Sequence, residues 1–315
     1  MSNATQSAYL PRVLFFGMQG KFSYAPFHAL LEAGIQVCAV VIPTEQVFET
    51  ELPAIQKYEY PSFSRTRLPV LNSTIHFSML DLAKARNIPV WKVQQLSSSD
   101  TINTLTVYQP DIICVACFSK RIPRDVLNIP QFGCLNVHPS LLPANRGPEP
   151  LFWTFREGSA KTGVTIHLID ESLDSGAIVA QEAMEIPDGI SYSDLEELSA
   201  QIGGTLLVQS IWDMFNQKAV IQEQDETKSS YHPFPCDDDF MVPVAEWSAR
   251  HVYNFIRGVA AWGNPIHLLV GNKTIHVKKA ISYSLNAINQ SAMIVNKQPD
   301  ECFWVICKQG SVLVE

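Results

Sequence analysis

No stretch of this sequence approaches the roughly 18 consecutive apolar residues of a membrane-spanning helix. Met1 to Tyr9 also lacks the charged segment and apolar run of an export signal. These absences predict a soluble cytoplasmic protein with no membrane partner. Positive charge is scarce: 23 Lys and Arg stand against 31 Asp and Glu, a formal net charge of −8. That balance argues against nonspecific nucleic-acid binding, although a local basic patch stays open. Metal-ligand spacing is missing. Cys114 and Cys117 form a C-x-x-C with no second cysteine or histidine pair at ligand spacing, and Ile112-Ile113-Cys114-Val115-Ala116-Cys117 reads as a buried strand, so both thiols are assigned to the core. Seven cysteines, an odd number scattered through apolar stretches, suit free thiols in a reducing compartment better than a disulfide framework. A dinucleotide fingerprint is missing too. Gly17-Met18-Gln19-Gly20-Lys21 has no third glycine to complete G-x-G-x-x-G, which leaves it as a tight turn out of a strand.

What is present is a globular composition, 46% hydrophobic and 17% charged, in a chain of 315 residues, long enough for two domains with a core each. Short apolar runs alternate with helical spacing. Strands are predicted at Val13 to Phe16, Gln36 to Ile42, Pro89 to Val93, Asp111 to Ala116 and Cys134 to Val137, with helices over Ser23 to Glu32, Met79 to Arg86, Thr101 to Tyr108 and Glu149 to Arg156. Two further strands, Thr162 to Asp170 and Ala177 to Ile186, follow. Strands alternating with helices imply a mostly parallel sheet covered on both faces. A helix over Tyr192 to Phe215 is opened by a Ser193–Glu196 capping box, and a charged, Pro-containing stretch from Gln222 to Asp239 marks a linker. Beyond it come a helix over Val244 to Gly258 and, from Pro265 to Glu315, short strands with turns at Gly271-Asn272-Lys273 and Gly310-Ser311, which fit a small β barrel. The expected division is a catalytic domain over 1–220, a linker over 221–240 and a barrel domain over 241–315.

The chemistry concentrates in Gly133-Cys-Leu-Asn136-Val-His138-Pro-Ser-Leu-Leu-Pro143, in the following Arg146-Gly147-Pro148, and in Leu173-Asp174-Ser175-Gly176. Asn136 and His138 fall at the carboxyl end of a strand, where ligands bind in parallel sheets. Pro139 and Pro143 stiffen the loop that follows, which can then present backbone donors in fixed positions. An amide, an imidazole and a carboxylate together can hold an oxyanion and move a proton while an amine attacks an acyl carbon. Taken singly, Asn136 also reads as a turn residue, His138 as a satisfied loop histidine and Asp174 as an Asx-turn residue before glycine. His167 is assigned with Val164 and Thr165 to an alternating strand and not to catalysis.

These segments, with Thr162-Gly-Val-Thr-Ile-His167, resemble the folate-dependent formyltransferase family, the overall look being nearest to its members that act on methionyl-tRNA. The resemblance implies a Rossmann-like formyl-transfer domain with a mostly parallel sheet, followed by a small OB-like β barrel, and 10-formyltetrahydrofolate as donor with no metal. It implies Asn136, His138 and Asp174 as the catalytic residues and a folate site at Phe118, Ser119, Ile122, Asp170, Glu171 and Asp174. The acceptor is expected at Ser140, Leu141, Leu142, Pro143, Arg146 and Gly147. Members acting on tRNA carry a long basic loop after the second strand. Here Thr44 to Ser73 is acidic and aromatic, with Tyr58, Tyr60, Phe63 and only Lys57, Arg65 and Arg67 as cations. Lys273, His276, Lys278 and Lys279 in the barrel offer a second route to phosphate, or simply a solvated strand face. The weak electrostatic footprint favours a small amine acceptor, free or carried by a sugar nucleotide, over methionyl-tRNA. A 10-formyltetrahydrofolate hydrolase and a noncatalytic folate-binding protein are the alternatives, the latter opposed by the intact trio.

Overall fold

The computed structural model describes residues 10–44, 53–60, 78–286, 294–297 (backbone only) and 302–315. Two compact units make up the chain: Met1–His138 with Val164–Glu182 and Ser199–Gln224, and Pro139–Gly163 with Ala183–Leu198 and Asp225–Glu315.

An eight-stranded sheet organises the first unit. Its strands are β1 (Arg12–Gly17), β2 (Gln36–Pro43), β3 (Ile55–Lys57), β4 (Val90–Val93), β5 (Ile112–Ala116), β6 (Cys134–His138), β7 (Lys161–Leu168) and β8 (Ile178–Glu185), in the order β3-β4-β2-β1-β5-β6-β7-β8. The block β4-β2-β1-β5-β6 is parallel, while β3 and β7 run antiparallel to their neighbours. The helices are α1 (Lys21–Glu32), α2 (Met79–Ala85), α3 (Ser99–Thr106), α4 (Arg124–Leu127), α5 (Pro150–Arg156), α6 (Tyr192–Phe215) and α7 (Ala249–Val259). Burial on both faces explains the unbroken apolar runs: in β1, Val13 and Phe15 enter one core with Phe27, Leu135 and Val137, whereas Leu14 and Phe16 enter a second with Leu105 and Cys134. Period-2 alternation along β6 therefore sends Leu135 and Val137 into the first core and leaves Asn136 and His138 on the other face. The sheet order reverses between β1 and β5, so the carboxyl ends of β5 and β6 lie on the side of the sheet where a doubly wound fold opens a crevice.

In the second unit, β9 (Met241–Pro243), β10 (Ile266–Val270) and β11 (Lys273–Val277) form one sheet. A second, antiparallel one contains β12 (Ala280–Ser284), β13 (Ile294–Lys297), β14 (Phe303–Ile306) and β15 (Ser311–Val314), in the order β12-β15-β14-β13. Helix α7 presents Val252, Phe255, Ile256 and Val259 to a core shared with Phe152 and Phe155 of α5, Leu268 of β10 and Val312 and Val314 of β15. The α/β class and the small C-terminal sheets agree with the sequence reading.

Several details do not. Helix α6 has the expected span, but its cap is Ser191, whose Oγ accepts from the Asp194 N–H at 3.2 Å and donates to its carboxylate. The same Ser-x-x-acid spacing two residues earlier outcompetes Ser193. Helix α7 starts at Ala249, not Val244, because Ser248 accepts from the His251 N–H and fixes the N-terminus there. Cys117 is not in the core. Strand β5 ends at Ala116, and Cys117, with φ 57°, is an exposed turn residue, as Cys236 is exposed and Cys38 half-buried. None of the seven cysteines forms a disulfide. Phe63, Arg65 and Arg67 lie outside the described residues. Lys57 closes β3, and beyond it Tyr58 and Tyr60 pack edge to face at 4.9 Å under Lys92 and Lys84.

Candidate active site

The register between β6 and β7 assembles the site. Antiparallel pairing sets Asn136 opposite His167 and His138 opposite Thr165, so the polar side chains of both strands share one face within cross-strand reach. Asn136 Nδ2 lies 3.1 Å from His167 Nε2, and His167 Nδ1 lies 2.8 Å from the Leu168 carbonyl. The carbonyl can only accept, so Nδ1 carries the proton and Nε2 accepts from the Asn136 amide. That bond orients the amide and leaves its second N–H as a donor.

Asp174 approaches both imidazoles. Its Oδ1 lies 3.8 Å from His138 Nδ1 and 3.8 Å from His167 Nε2, with all three side chains less than one-tenth exposed. These are ion-pair distances beyond direct hydrogen bonding. The loop that delivers Asp174 is built for it. Asp174 adopts φ 54°, a conformation a short polar side chain tolerates better than most. The buried Gln224 amide donates to the carbonyls of Asp174 (2.8 Å) and Gly176 (2.7 Å). At Gly176 a Cβ would come within 1.9 Å of the Leu168 carbonyl, so only glycine lets the loop return against β7.

His167 is 1% exposed, and burial pushes its imidazole down to about 4, with His138 acting in the same direction. Neutrality preserves the Asn136 bond, since an imidazolium would turn a second donor on the amide. The unfolded chain, with a histidine near 6.5, binds the proton that the folded state refuses, so stability falls as pH drops from 6.5 towards 4. Replacing His167 by Phe is expected to flatten that fall by up to about 3 kcal/mol, read from urea unfolding at pH 7 and pH 4.5. Parallel pH dependences in the two proteins would refute it.

The other expected site residues divide between the units. In the first, Phe118 packs 5.3 Å from Phe16 just beyond β5, Ser119 is exposed and Ile122 is 6% exposed. The Asp170 carboxylate accepts from the Ser172 N–H and the Ser175 hydroxyl, which makes it a support of the Asp174 loop, and Glu171 pairs with Arg124 at 3.6 Å while its carbonyl accepts from Arg121. Ser140, Leu141, Leu142, Pro143, Arg146 and Gly147 belong to the second unit, where Ser140 donates to the Ala144 carbonyl and Leu142 is buried. Among the described residues, no group of three or more His, Cys, Asp or Glu is placed to hold a metal ion, and no helix is long and apolar enough to cross a membrane.

The sequence pattern assigns His167 to an alternating strand and not to catalysis; the structure places its imidazole against the Asn136 amide. A signal for this contact existed: in a strand buried on both faces, a histidine must find a polar partner.

The formyl transferase family profile matches residues 13–211. A methionyl-tRNA formyltransferase from Clostridium perfringens is 34% identical over 185 residues, 58% of this chain and 59% of that protein, so the match spans less than two thirds of its length. One from Syntrophus aciditrophicus is 32% identical over 233 residues, 74% of each chain. The fold is similar to that of an N-formyltransferase from Helicobacter canadensis solved with folinic acid and dTDP-3-aminofucose, at 15% identity, a TM-score of 0.64 and coverage of 97% of this chain and 98% of that one. A profile that takes in well over half of the chain, and within it Asn136, His138 and Asp174, makes this chain a member of the formyl transferase family.

Proposed function

We propose that this protein transfers the formyl group of 10-formyltetrahydrofolate to a primary amine. The observation that carries the reading is the convergence of Asn136, His138 and Asp174 on one buried face, with the amide oriented by His167. The amine nitrogen attacks the formyl carbon. The resulting oxyanion accepts from the Asn136 amide and from protonated His138. Collapse breaks the bond from carbon to N10 of the folate as His138 gives its proton to N10, and the neutral imidazole then takes up the proton shed by the attacking amine, with Asp174 steadying the imidazolium. Phe118, Ser119 and Ile122 after β5, and the Asp170–Asp174 loop, are the proposed folate contacts. A cytoplasmic setting fits seven cysteines of which none forms a disulfide.

For the acceptor we favour a small amine, such as the amino sugar of a sugar nucleotide, over methionyl-tRNA. Cations are few on this acidic chain, and Lys279, one of the candidate phosphate contacts, is paired with Glu315 at 2.7 Å. The experiment follows formyl release from 10-formyltetrahydrofolate with a dTDP-linked 3-amino sugar, with initiator methionyl-tRNA, or with water alone. Turnover that depends on the amino sugar is expected, with tRNA binding weak or shallow in salt dependence, since each phosphate contact adds about 0.9 to the log-log slope. Submicromolar tRNA binding that collapses between low and moderate salt would overturn the acceptor choice. Release with water alone, unstimulated by either amine, would make the protein a hydrolase.

A further inference from the structure

In the resemblance Arg146 stands among the acceptor-binding residues, and a free guanidinium there would be a ready ligand for phosphate or carboxylate. Its surroundings within the second unit give it other work. Nη1 donates to Glu226 Oε2 at 3.0 Å and Nη2 to Oε1 at 2.7 Å, so a single carboxylate fills the guanidinium fork. The arginine is the inner partner, its side chain 11% exposed against 66% for Glu226. The hydrogen bond from Arg146 holds the Glu226 carboxyl below its ordinary pKa.

Backbone bonds run beside this pair. Arg146 N–H donates to the Ser230 carbonyl (2.9 Å), His232 N–H to the Arg146 carbonyl (2.9 Å), Ser230 N–H to the Pro143 carbonyl (3.2 Å) and Asn145 N–H to Ser230 Oγ (2.8 Å). Gly147, at φ 122°, continues the contact so closely that a Cβ would sit 2.0 Å from the His232 carbonyl oxygen. The strap formed by residues 226–233 is itself anchored: His232 stacks on Trp153 of α5 at 4.4 Å, Trp153 Nε1 donates to the Pro233 carbonyl, and His232 Nε2 lies 3.1 Å from Glu157.

We propose that Arg146 is a positioning residue and not an acceptor ligand: with Glu226 and the strap that carries it, Arg146 clamps the loop Pro143–Gly147, which selects the acceptor by its shape and brings no net positive charge to it. The inference rests on the formyl-transfer reading above. An incoming phosphate would have to displace Glu226 and break two charge-assisted hydrogen bonds to reach the guanidinium, so the clamp and a phosphate site are mutually exclusive.

The test compares Arg146→Ala, Glu226→Ala, the isosteric Glu226→Gln and the double alanine variant in the full-length protein, using the amine that supports turnover and two salt concentrations. Each single alanine variant is expected to raise the acceptor KM about 10-fold, a moderate effect for a displaced positioning loop. The KM for 10-formyltetrahydrofolate should stay within about 2-fold, the double variant should be no worse than either single one, and the salt dependence should not change. Glu226→Gln should fall between wild type and Glu226→Ala. A phosphate-binding Arg146 gives the opposite pattern, in which removing Glu226 frees the guanidinium, lowers the acceptor KM and steepens the salt dependence. Hydrogen exchange of the Arg146 and His232 amides reads the clamp without any acceptor. Exchange should speed up at both in either single alanine variant, and unchanged protection would overturn the clamp even if no amine is turned over. Absent turnover in the wild type would count against the formyl-transfer reading alone.

Discussion

Replacing His138 or Asp174 by alanine should lower turnover by at least about 100-fold while binding of 10-formyltetrahydrofolate is largely kept, because both groups act on charge and protons that exist only in the transition state. Neither side chain is on the surface, and each faces the other at 3.8 Å. Alanine at 174 brings a complication, since the residue sits at φ 54° and loses the polar side chain that tolerates that conformation. Asp174→Asn avoids it. Asparagine accepts left-handed backbone, the Gln224 hydrogen bond to the residue 174 carbonyl stays, and only the charge that steadies the imidazolium disappears. A loss at Asp174→Asn close to that at Asp174→Ala, with unchanged thermal stability, would assign the effect to electrostatics. Near wild-type turnover in Asp174→Asn or His138→Ala, measured under saturating folate, would remove the proposed mechanism.

The architecture was legible where local pattern decides it. Strand β1 and helix α6 fell where period and punctuation put them, because each element's apolar spacing is set by the core it faces. Local rules also failed locally: two serines with nearly the same capping signature compete ahead of α6, and the sequence alone does not say which one the chain uses. The site was half legible. Asn136, His138 and Asp174 carry a recognisable pattern, but what orients them comes from far along the chain. His167 reaches Asn136 across 31 residues, Gln224 supports the Asp174 loop across 50, and Glu226 fills the Arg146 fork across 80. No periodicity encodes such pairings. They follow from strand register and loop return, which exist only once the sheet has formed.

The distance between Asn136 and His167 makes a quantitative claim of its own. If the Asn136 amide is the oxyanion donor, Asn136→Ala should lower kcat by about 100- to 1000-fold, the usual effect of deleting one such donor. His167→Phe leaves that amide in place but removes the acceptor 3.1 Å from Nδ2 that orients it, so a smaller loss, about 10-fold, is expected from the mispointed donor. The two losses should not multiply. Once the amide is gone there is nothing left for His167 to orient, and the double variant should turn over at the rate of Asn136→Ala, whereas independent roles would give a further 10-fold drop. A multiplicative double variant would mean that His167 acts on the reaction directly, through Asp174 at 3.8 Å, and that the hydrogen bond to Asn136 contributes nothing to turnover.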